Sequence, residues 1–335
     1  MMPQTRFLNG QRTRVRRFWG AGTHLSRRLL FLIASVVTCL VLFAPNVHPA
    51  FAVQAKPPTD KSYYITTTST SSAYNLGCNQ GTLDASFSPP VNSEVVLDFG
   101  GQNSSGTGTL LINGTSITNA QIESVAEQFS SGYWNCTGND STSKVTLGIG
   151  TNNSYYDVSS SGGNAWAQVI SAVINSNKSS GYDAQVVIDG ANDMEPDFGS
   201  ASGTIAWAQG YANVFPAPYI NYGSADGCPS SSSANGSCNN GWNQYDVWYV
   251  SWGSPPAKPL PEIYYSVQAQ QWTMISLYGA QSQNKVVRMQ GPLDEYDLDS
   301  STDTSAQAWS QLWTDLNTYS TTAQNMNYSA EIANE

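Results

Sequence analysis

Apolar residues in this chain fall into short runs that alternate with longer stretches of helical periodicity. Runs that are apolar without strict alternation are typical of strands covered on both faces of a parallel sheet. Strands of this kind are predicted at residues 95–100, 144–150, 185–188, 217–222, 261–265 and 286–290.

Each predicted strand is followed by a stretch with the spacing of an amphipathic helix. These helices are expected at residues 116–129, with Thr118 as the N-cap, and at 164–176, 203–213, 244–252, 268–279 and 304–323. Six strand-then-helix units predict an α/β protein with a parallel sheet. We expect a (β/α)8-type TIM barrel, regular or irregular in its elements.

A closed barrel of this type needs about eight strands, so two more are expected, for example at residues 63–67 or 110–113. A doubly wound open sheet is the alternative. That fold usually carries a glycine-rich phosphate turn, but residues 100–106 match neither nucleotide-binding fingerprint.

The first 52 residues have the pattern of an export signal. An arginine-rich start precedes an apolar core at residues 29–43, and Ala50-Phe51-Ala52 is a small-residue cleavage site. The core is short for a membrane-spanning helix, so we expect cleavage after Ala52, with an uncleaved anchor as the alternative. Residues 53–93 are rich in Thr, Ser and Pro and predict an N-terminal arm, and residues 94–335 form the main domain.

Removal of the signal changes the charge of the chain. It takes away seven of the 14 basic residues, no acids and both histidines, His24 and His48, and leaves 24 acidic residues against seven basic ones. A surface of this charge repels nucleic acid and anionic lipid. Without histidine, Ser-His-Asp and Cys-His catalysis and the common zinc sites are excluded, and no cofactor or metal is predicted.

Four cysteines remain after processing, at positions 78, 136, 228 and 238. In an exported protein an even number indicates two disulfides, and four cysteines allow three pairings. We favour Cys228 with Cys238, which closes a short loop, and Cys78 with Cys136, which ties the N-terminal arm to the main domain.

The predicted strand at residues 185–188 ends in a cluster of acids, which are Asp189, Asp193, Glu195 and Asp197. On an extended backbone Asp193 and Glu195 point to the same side. Crowding of like charges raises the pKa of at least one carboxyl group, as a general acid at neutral pH requires. The alternative is an acidic turn whose side chains face water.

Other polar residues also follow predicted strands, where the C-terminal face of a barrel carries its catalytic groups. Asp98 is the third catalytic candidate, facing Asp193 and Glu195. Glu262 stands near the start of its predicted strand and is interpreted as structural. The candidates for substrate binding are Asn152, Tyr222, Asp226, Trp252, Tyr265 and Gln290.

Residues 187–195, Val-Ile-Asp-Gly-Ala-Asn-Asp-Met-Glu, resemble the strand motif of family 18 chitinases, in which an apolar run leads to Asp-Gly and then to Asp-x-Asp-x-Glu. They also resemble the Asp-x-Glu strand end of family 25 lysozymes. The spacing is one residue shorter than in the chitinases, and Asn192 stands where the middle acid would be. The resemblance implies that Glu195 donates a proton, and that Asp193 orients an N-acetyl group or shares that proton.

The resemblance also implies that residues 94–335 are a glycoside-hydrolase-like barrel domain of the kind found in exported bacterial proteins. The function expected is that of a secreted glycoside hydrolase acting on a polysaccharide or cell-wall glycan with carboxylate acid–base chemistry. The alternative is a non-catalytic barrel that binds carbohydrate or associates with the cell surface.

Overall fold

The computed structural model describes residues 54–154, 158–214, 216–254 and 257–335. The predicted signal peptide at residues 1–52 lies outside the described residues, so its cleavage stays a prediction. Among the residues that are described, no helix has the length and apolar character needed to cross a bilayer.

Eight parallel strands form a curled sheet with helices packed on its outer side. The strands are β1 (Asp60–Tyr64), β2 (Ser93–Gln102), β5 (Val145–Asn152), β6 (Val186–Asp193), β7 (Tyr219–Asn221), β8 (Ala257–Pro259), β9 (Leu293–Asp294) and β10 (Ala330–Asn334). Their order across the sheet is β8-β7-β6-β5-β2-β1-β10-β9. Strands that follow one another in this set of eight are therefore neighbours in the sheet. The exception is the pair β8 and β9, which form its two ends. A short antiparallel hairpin, β3 (Gly108–Leu110) and β4 (Ser116–Thr118), extends from β2.

The helices follow the strands in chain order. They are α1 (Thr70–Ser86), α2 (Asn119–Cys136), α3 (Ser160–Ser180), α4 (Ala201–Val214), α5 (Gln244–Trp248), α6 (Ser266–Gln283) and α7 (Ser305–Thr318). The predicted N-cap of α2 is confirmed, because the Thr118 side chain accepts from the backbone N–H of Gln121 in a capping box. The alternation of strand and helix predicted from the sequence is therefore present.

The end strands β8 and β9 are not joined by a continuous ladder. Just beyond β8, Glu262 forms an isolated parallel bridge with Leu293 of β9. The N–H of Leu293 donates to the carbonyl of Pro261 at 2.8 Å, and the N–H of Ile263 donates to the carbonyl of Leu293 at 2.9 Å. The sheet is thus a curled, TIM-like arrangement whose two ends touch at a short seam.

Two apolar cores explain why β2, β5 and β6 have almost no exposed positions. One lies between the sheet and its helices and includes Trp166, Trp207 and Trp272. The other fills the inner, concave side of the sheet and contains Val96, Ala191, Ile220, Tyr222, Leu260, Leu293, Ala330 and Ile332. Strands covered on both faces need continuous apolar sequence, which is the pattern that predicted them.

Residues 60–86, assigned from the sequence to an N-terminal arm, form β1 and α1. Strand β1 pairs with both β2 and β10, so this segment is part of the sheet. Ser69 caps the N-terminus of α1, since its side chain accepts from the N–H of Ser72 at 3.2 Å. The predicted disulfide between Cys78 and Cys136 is confirmed and ties α1 to α2.

Several predicted elements differ from the structure. The last turn of the predicted helix at 244–252 is a π-helical turn, Tyr249–Gly253. The segments 261–265 and 286–290, predicted as the fifth and sixth strands, are not strands, because β8 lies before the first segment and β9 after the second. The segment 110–113 belongs to the hairpin region, while 63–67 overlaps β1 and so supplies one of the two missing strands.

Candidate active site

Three carboxyl groups meet at the C-terminal ends of the strands. Asp193 is the last residue of β6, Glu195 follows it by two residues, and Glu262 follows β8. One carboxylate oxygen from each lies within 4.8 Å of the others. The extended backbone at the end of β6 points Asp193 and Glu195 to the same side, as predicted, and the sheet brings Glu262 to meet them.

All three side chains are buried, with 5% of Asp193, 8% of Glu195 and 5% of Glu262 exposed. None of the ion pairs found among the described residues involves them. Burial of a carboxyl group without a cationic partner favours its protonated form, so the group of three is expected to hold protons near neutral pH.

Burial raises the pKa of Glu195 to about 7, a hydrogen bond with Glu262 lowers it, and the charge of Asp226 adds to the rise. For Glu262, burial and then the charges of Glu195 and Asp193 raise the pKa well above its usual range. Burial and then the charge of Glu195 do the same to the pKa of Asp193. The hydrogen bond between Glu195 and Glu262 requires a proton, which the two carboxyl groups share.

Glu262 was interpreted from the sequence as structural, because it stood near the start of a predicted strand. The strand lies earlier, at β8, so Glu262 comes after its C-terminal end. Its Oε1 atom accepts a hydrogen bond of 2.8 Å from the hydroxyl of Tyr264. The sequence signal that could have found it is the pattern Glu-x-Tyr after an apolar run, Leu260-Pro-Glu-Ile-Tyr264.

Asp98, the third catalytic candidate from the sequence, lies close enough to this group for its charge to act on Asp193. Its charge raises the pKa of Asp193, and burial raises the pKa of Asp98 itself to about 6. The N–H of Gly100 donates to Oδ1 of Asp98 at 2.7 Å. Tyr222 lies beside Asp98 on the inner side of the sheet, and its hydroxyl donates to the carbonyl of Thr151 at 3.0 Å.

Three further predicted residues lie at the same edge of the sheet. Asn152 is paired in register with Asp193, although its side chain accepts from Ser154. Asp226 is half-buried and close enough for its charge to raise the pKa of Glu195. Tyr265 is 48% exposed and follows the tyrosine that binds Glu262.

Two predicted binding residues lie elsewhere. The carbonyl of Trp252 accepts a hydrogen bond of 2.8 Å from the side chain of Lys285, which follows the C-terminal end of α6. This end of α6 is opposite the end that follows Glu262. Gln290 precedes β9, and its N–H donates to the carbonyl of Pro259 at 2.8 Å. The backbone of Trp252 and that of Gln290 therefore contact other parts of the fold than the carboxyl group cluster.

Asp193, Glu195 and Glu262 are also the residues that could hold a metal ion. Their oxygen atoms are the donors that hard cations such as Ca²⁺ or Mg²⁺ accept, and Oδ1 of Asp193 has no hydrogen-bond partner. The chemistry available at this place is therefore proton exchange between buried carboxyl groups or charge compensation by a bound cation.

Comparison with known proteins gives no significant match to a family model, a curated protein or a solved structure.

Proposed function

We propose that this protein is a secreted glycoside-hydrolase-like protein that acts on a polysaccharide through carboxylate acid–base chemistry. Its fold, in this proposal, is an irregular (β/α)8 barrel in which the seam between β8 and β9 completes the ring. The bridge between Glu262 and Leu293 supports that closure. The C-terminal ends of barrel strands are where such enzymes carry their catalytic groups.

The observation that carries the proposal is the close group of Asp193, Glu195 and Glu262. Glycoside hydrolysis needs one carboxylic acid that protonates the leaving oxygen and a second carboxylate that acts on the sugar ring. Residues 53–335 contain no histidine, so buried carboxyl groups are the available proton donors near pH 7.

Glu195 is the proton donor in this mechanism. Its pKa of about 7 keeps it partly protonated at neutral pH, as an acid catalyst requires. Burial is the main cause of that pKa. This differs from the expectation that the charge of Asp193 would be the cause. Glu262 exchanges a proton with Glu195, and Asp193 orients an N-acetyl group of the substrate or shares that proton.

The separation of the carboxyl groups bears on the stereochemistry. Retaining glycosidases place their two carboxyl groups about 5–5.5 Å apart, whereas inverting enzymes leave about 6.5–9.5 Å for a water molecule. Oxygen atoms within 4.8 Å of one another support retention. We expect NMR of the first product to find the anomeric configuration of the substrate.

Exposed aromatic rings in the loops that follow the strands support a polysaccharide as substrate. Phe198, Tyr265 and Tyr296 are 43%, 48% and 38% exposed, and they follow Glu195, Glu262 and Asp294 in their loops. Aromatic rings offer a flat apolar face and, in tyrosine, a polar edge, which suits the face of a sugar ring.

The two disulfides support an extracellular location, since such bonds persist in oxidising compartments. The acidic surface supports partners other than nucleic acid or anionic lipid. After signal cleavage no attachment to the membrane is proposed.

The test is a screen of the purified protein against a glycan array and chromogenic glycosides, followed by Glu195→Gln and Glu262→Gln. Each variant removes a proton site while keeping the shape, and kcat should fall by at least the ~100-fold typical of a lost general acid. Glu94→Gln is the matched control, because Glu94 is also a buried glutamate but lies at the start of β2, and kcat should not change.

Wild-type turnover that Glu195→Gln and Glu262→Gln both leave intact would reject the assignment. If the wild type and Glu195→Gln bind a glycan equally and neither hydrolyses it, the protein is the alternative, a carbohydrate-binding barrel.

A further inference from the structure

The backbone that carries Glu195 leaves the sheet ladder at Asp193, the last residue of β6. Beyond that residue, strand pairing no longer supplies partners for the backbone N–H groups, and buried N–H groups need partners. The N–H of Met194 donates to Oδ1 of Asn221 at 3.3 Å, and the N–H of Glu195 donates to Oδ1 of Asn153 at 3.1 Å. Two asparagine side chains therefore replace the missing ladder.

Asn153 makes contacts on both sides of the Glu195 backbone. Besides accepting from its N–H, Asn153 donates from Nδ2 to the carbonyl of Glu195 at 3.1 Å. The same Nδ2 donates to the hydroxyl of Thr204 in α4 at 3.0 Å. Because only 1% of Asn153 is exposed, water is poorly placed to substitute for these bonds.

Asn221 supports the segment from the opposite neighbour, β7. Its Oδ1 also accepts from the N–H of Gly223 at 3.2 Å, and its Nδ2 donates to the hydroxyl of Ser251 at 2.7 Å. Asn221 is fully buried. The segment from Asp193 to Glu195 is therefore fixed between Asn153, which follows β5, and Asn221, which ends β7.

We propose that Asn153 and Asn221 are positioning residues that fix the Glu195 carboxyl group in the site, an inference that rests on the proposed function for its catalytic meaning. Two bonds from one rigid amide to both backbone groups of Glu195 fix the direction of its Cα–Cβ bond. Catalytic groups need placement within about 0.5 Å of the productive geometry. A backbone displacement of about 1 Å can cost 100-fold in rate.

The test compares Asn153→Ala with Asn177→Ala. Asn177 is a matched control, because it is 2% exposed and its Nδ2 donates to the hydroxyl of Ser130 in the contact between α3 and α2. Both variants lose buried hydrogen bonds and should lower the free energy of unfolding. Only Asn153→Ala should release Glu195 toward water.

The readout is the position of the Glu195 carboxyl group relative to Glu262 in crystal structures of the full protein. In Asn153→Ala this group should be displaced by about 1 Å, because both backbone bonds to the amide are lost, while Asn177→Ala leaves it in place. On an active substrate, kcat of Asn153→Ala should fall about 100-fold with KM little changed.

Asn153→Asp is the second variant, and it decides the matter if Asn153→Ala does not fold. It keeps an acceptor for the Glu195 N–H but removes the donor to the Glu195 carbonyl. The carbonyl should therefore move away from the new carboxylate and take the Glu195 side chain with it. An unchanged Glu195 position in the folded Asn153 variants would overturn the proposal.

The position of Glu195 does not depend on turnover. If the Glu195 carboxyl group moves as expected but no glycan is hydrolysed, the positioning role holds and the glycosidase proposal fails. If glycan turnover depends on Glu195 but its position is unaffected by the Asn153 variants, the positioning proposal fails and the glycosidase proposal holds.

Discussion

The hydroxyl of Tyr264 donates a hydrogen bond of 2.8 Å to Oε1 of Glu262. The backbone N–H of Tyr264 is itself bonded to Oε1 of Gln268, in the first turn of α6, at 2.7 Å. The tyrosine is therefore fixed by a helix N-terminus while it orients a carboxyl group of the site. Tyr264 therefore holds the Glu262 carboxyl group in its orientation through this hydrogen bond.

Tyr264→Phe removes that hydrogen bond and keeps the ring. Because the bond lowers the pKa of Glu262, the variant should raise this pKa, as followed by carboxyl ¹³C NMR. Loss of one buried hydrogen bond should reduce the free energy of unfolding by about 1 kcal/mol, measured by urea denaturation. Tyr319→Phe, at an exposed tyrosine after α7, is the control, and an equal effect of both variants would contradict this role of Tyr264.

Gly223 lies against the segment that carries the acids. A Cβ atom at this position would approach N and O of Met194 to 2.6 Å and Oδ1 of Asp193 to 2.7 Å. We expect Gly223→Ala to displace Asp193, lower the rate on an active substrate about 100-fold and destabilise the fold by about 1–3 kcal/mol.

The control for Gly223→Ala is Gly132→Ala. Gly132 is more tightly enclosed than Gly223, because its Cβ would overlap the carbonyl oxygen of Tyr74 at the contact between α2 and α1. This variant should lose stability, measured by thermal unfolding, yet keep the carboxyl titrations of the wild type. A Gly223→Ala protein with unaltered Asp193 titration would show that the site tolerates the extra atom.

The α/β class and strands β2, β5 and β6 could be predicted because their sequences are apolar on both faces. Helix α1 could not, because it has no apolar stripe. It instead approaches α2 through glycines, and a Cβ on Gly77 would overlap the carbonyl of Phe129. Strands β8 and β9, with three and two residues, are too short to leave a periodic pattern.

The length of each strand also determines which residues of the candidate site could be predicted. Asp193 and Glu195 could be predicted because a long buried strand delivers them, and Asp98 because β2 is equally clear. Glu262 was missed, since the apolar segment around it was taken for the strand that precedes it. The structure places Trp252 away from these acids, because the π-helical turn that carries it lies before β8.

The two disulfides should contribute unequally to stability. The Cys78–Cys136 bond spans 58 residues and the Cys228–Cys238 bond spans 10. In the chain-entropy model, the first contributes about 4 kcal/mol and the second about 3 kcal/mol. Paired Cys→Ser variants unfolded in urea should rank in this order, and alkylation of the denatured, unreduced protein should find no free thiol at these four positions. Four free thiols would reject both bonds.

Processing is the prediction that rests on sequence alone. The apolar core at residues 29–43 and the site Ala50-Phe51-Ala52 predict a mature protein that begins near Val53. Intact-mass measurement of the exported protein should find residues 1–52 removed. Their retention would favour the alternative of an uncleaved anchor.

The protein should be more stable in mild acid than at alkaline pH. Burial raises the pKa of Glu94 to about 8, and Oε1 of Glu94 has no hydrogen-bond partner. The unfolded chain ionises this group near the ordinary glutamate pKa of 4.5, so the folded protein binds a proton that the unfolded chain releases between these two values. The stability contributed by protonated Glu94 is therefore fully present below pH 4.5 and is lost as the pH rises through about 8.

Glu94→Gln should remove this dependence, because glutamine is neutral at every pH. We expect the free energy of unfolding of the wild type, measured in urea, to fall between pH 5 and 8, roughly the interval that separates the two pKa values. The free energy of unfolding of the variant should fall less steeply with pH. Glu127→Gln in α2, where the side chain is half-buried, is the control and should follow the wild type. Because the buried site carboxyl groups have raised pKa values as well, the variant should keep part of the slope. A wild-type stability that increases steadily from pH 5 to 8 would contradict the protonated state assigned to these buried acids.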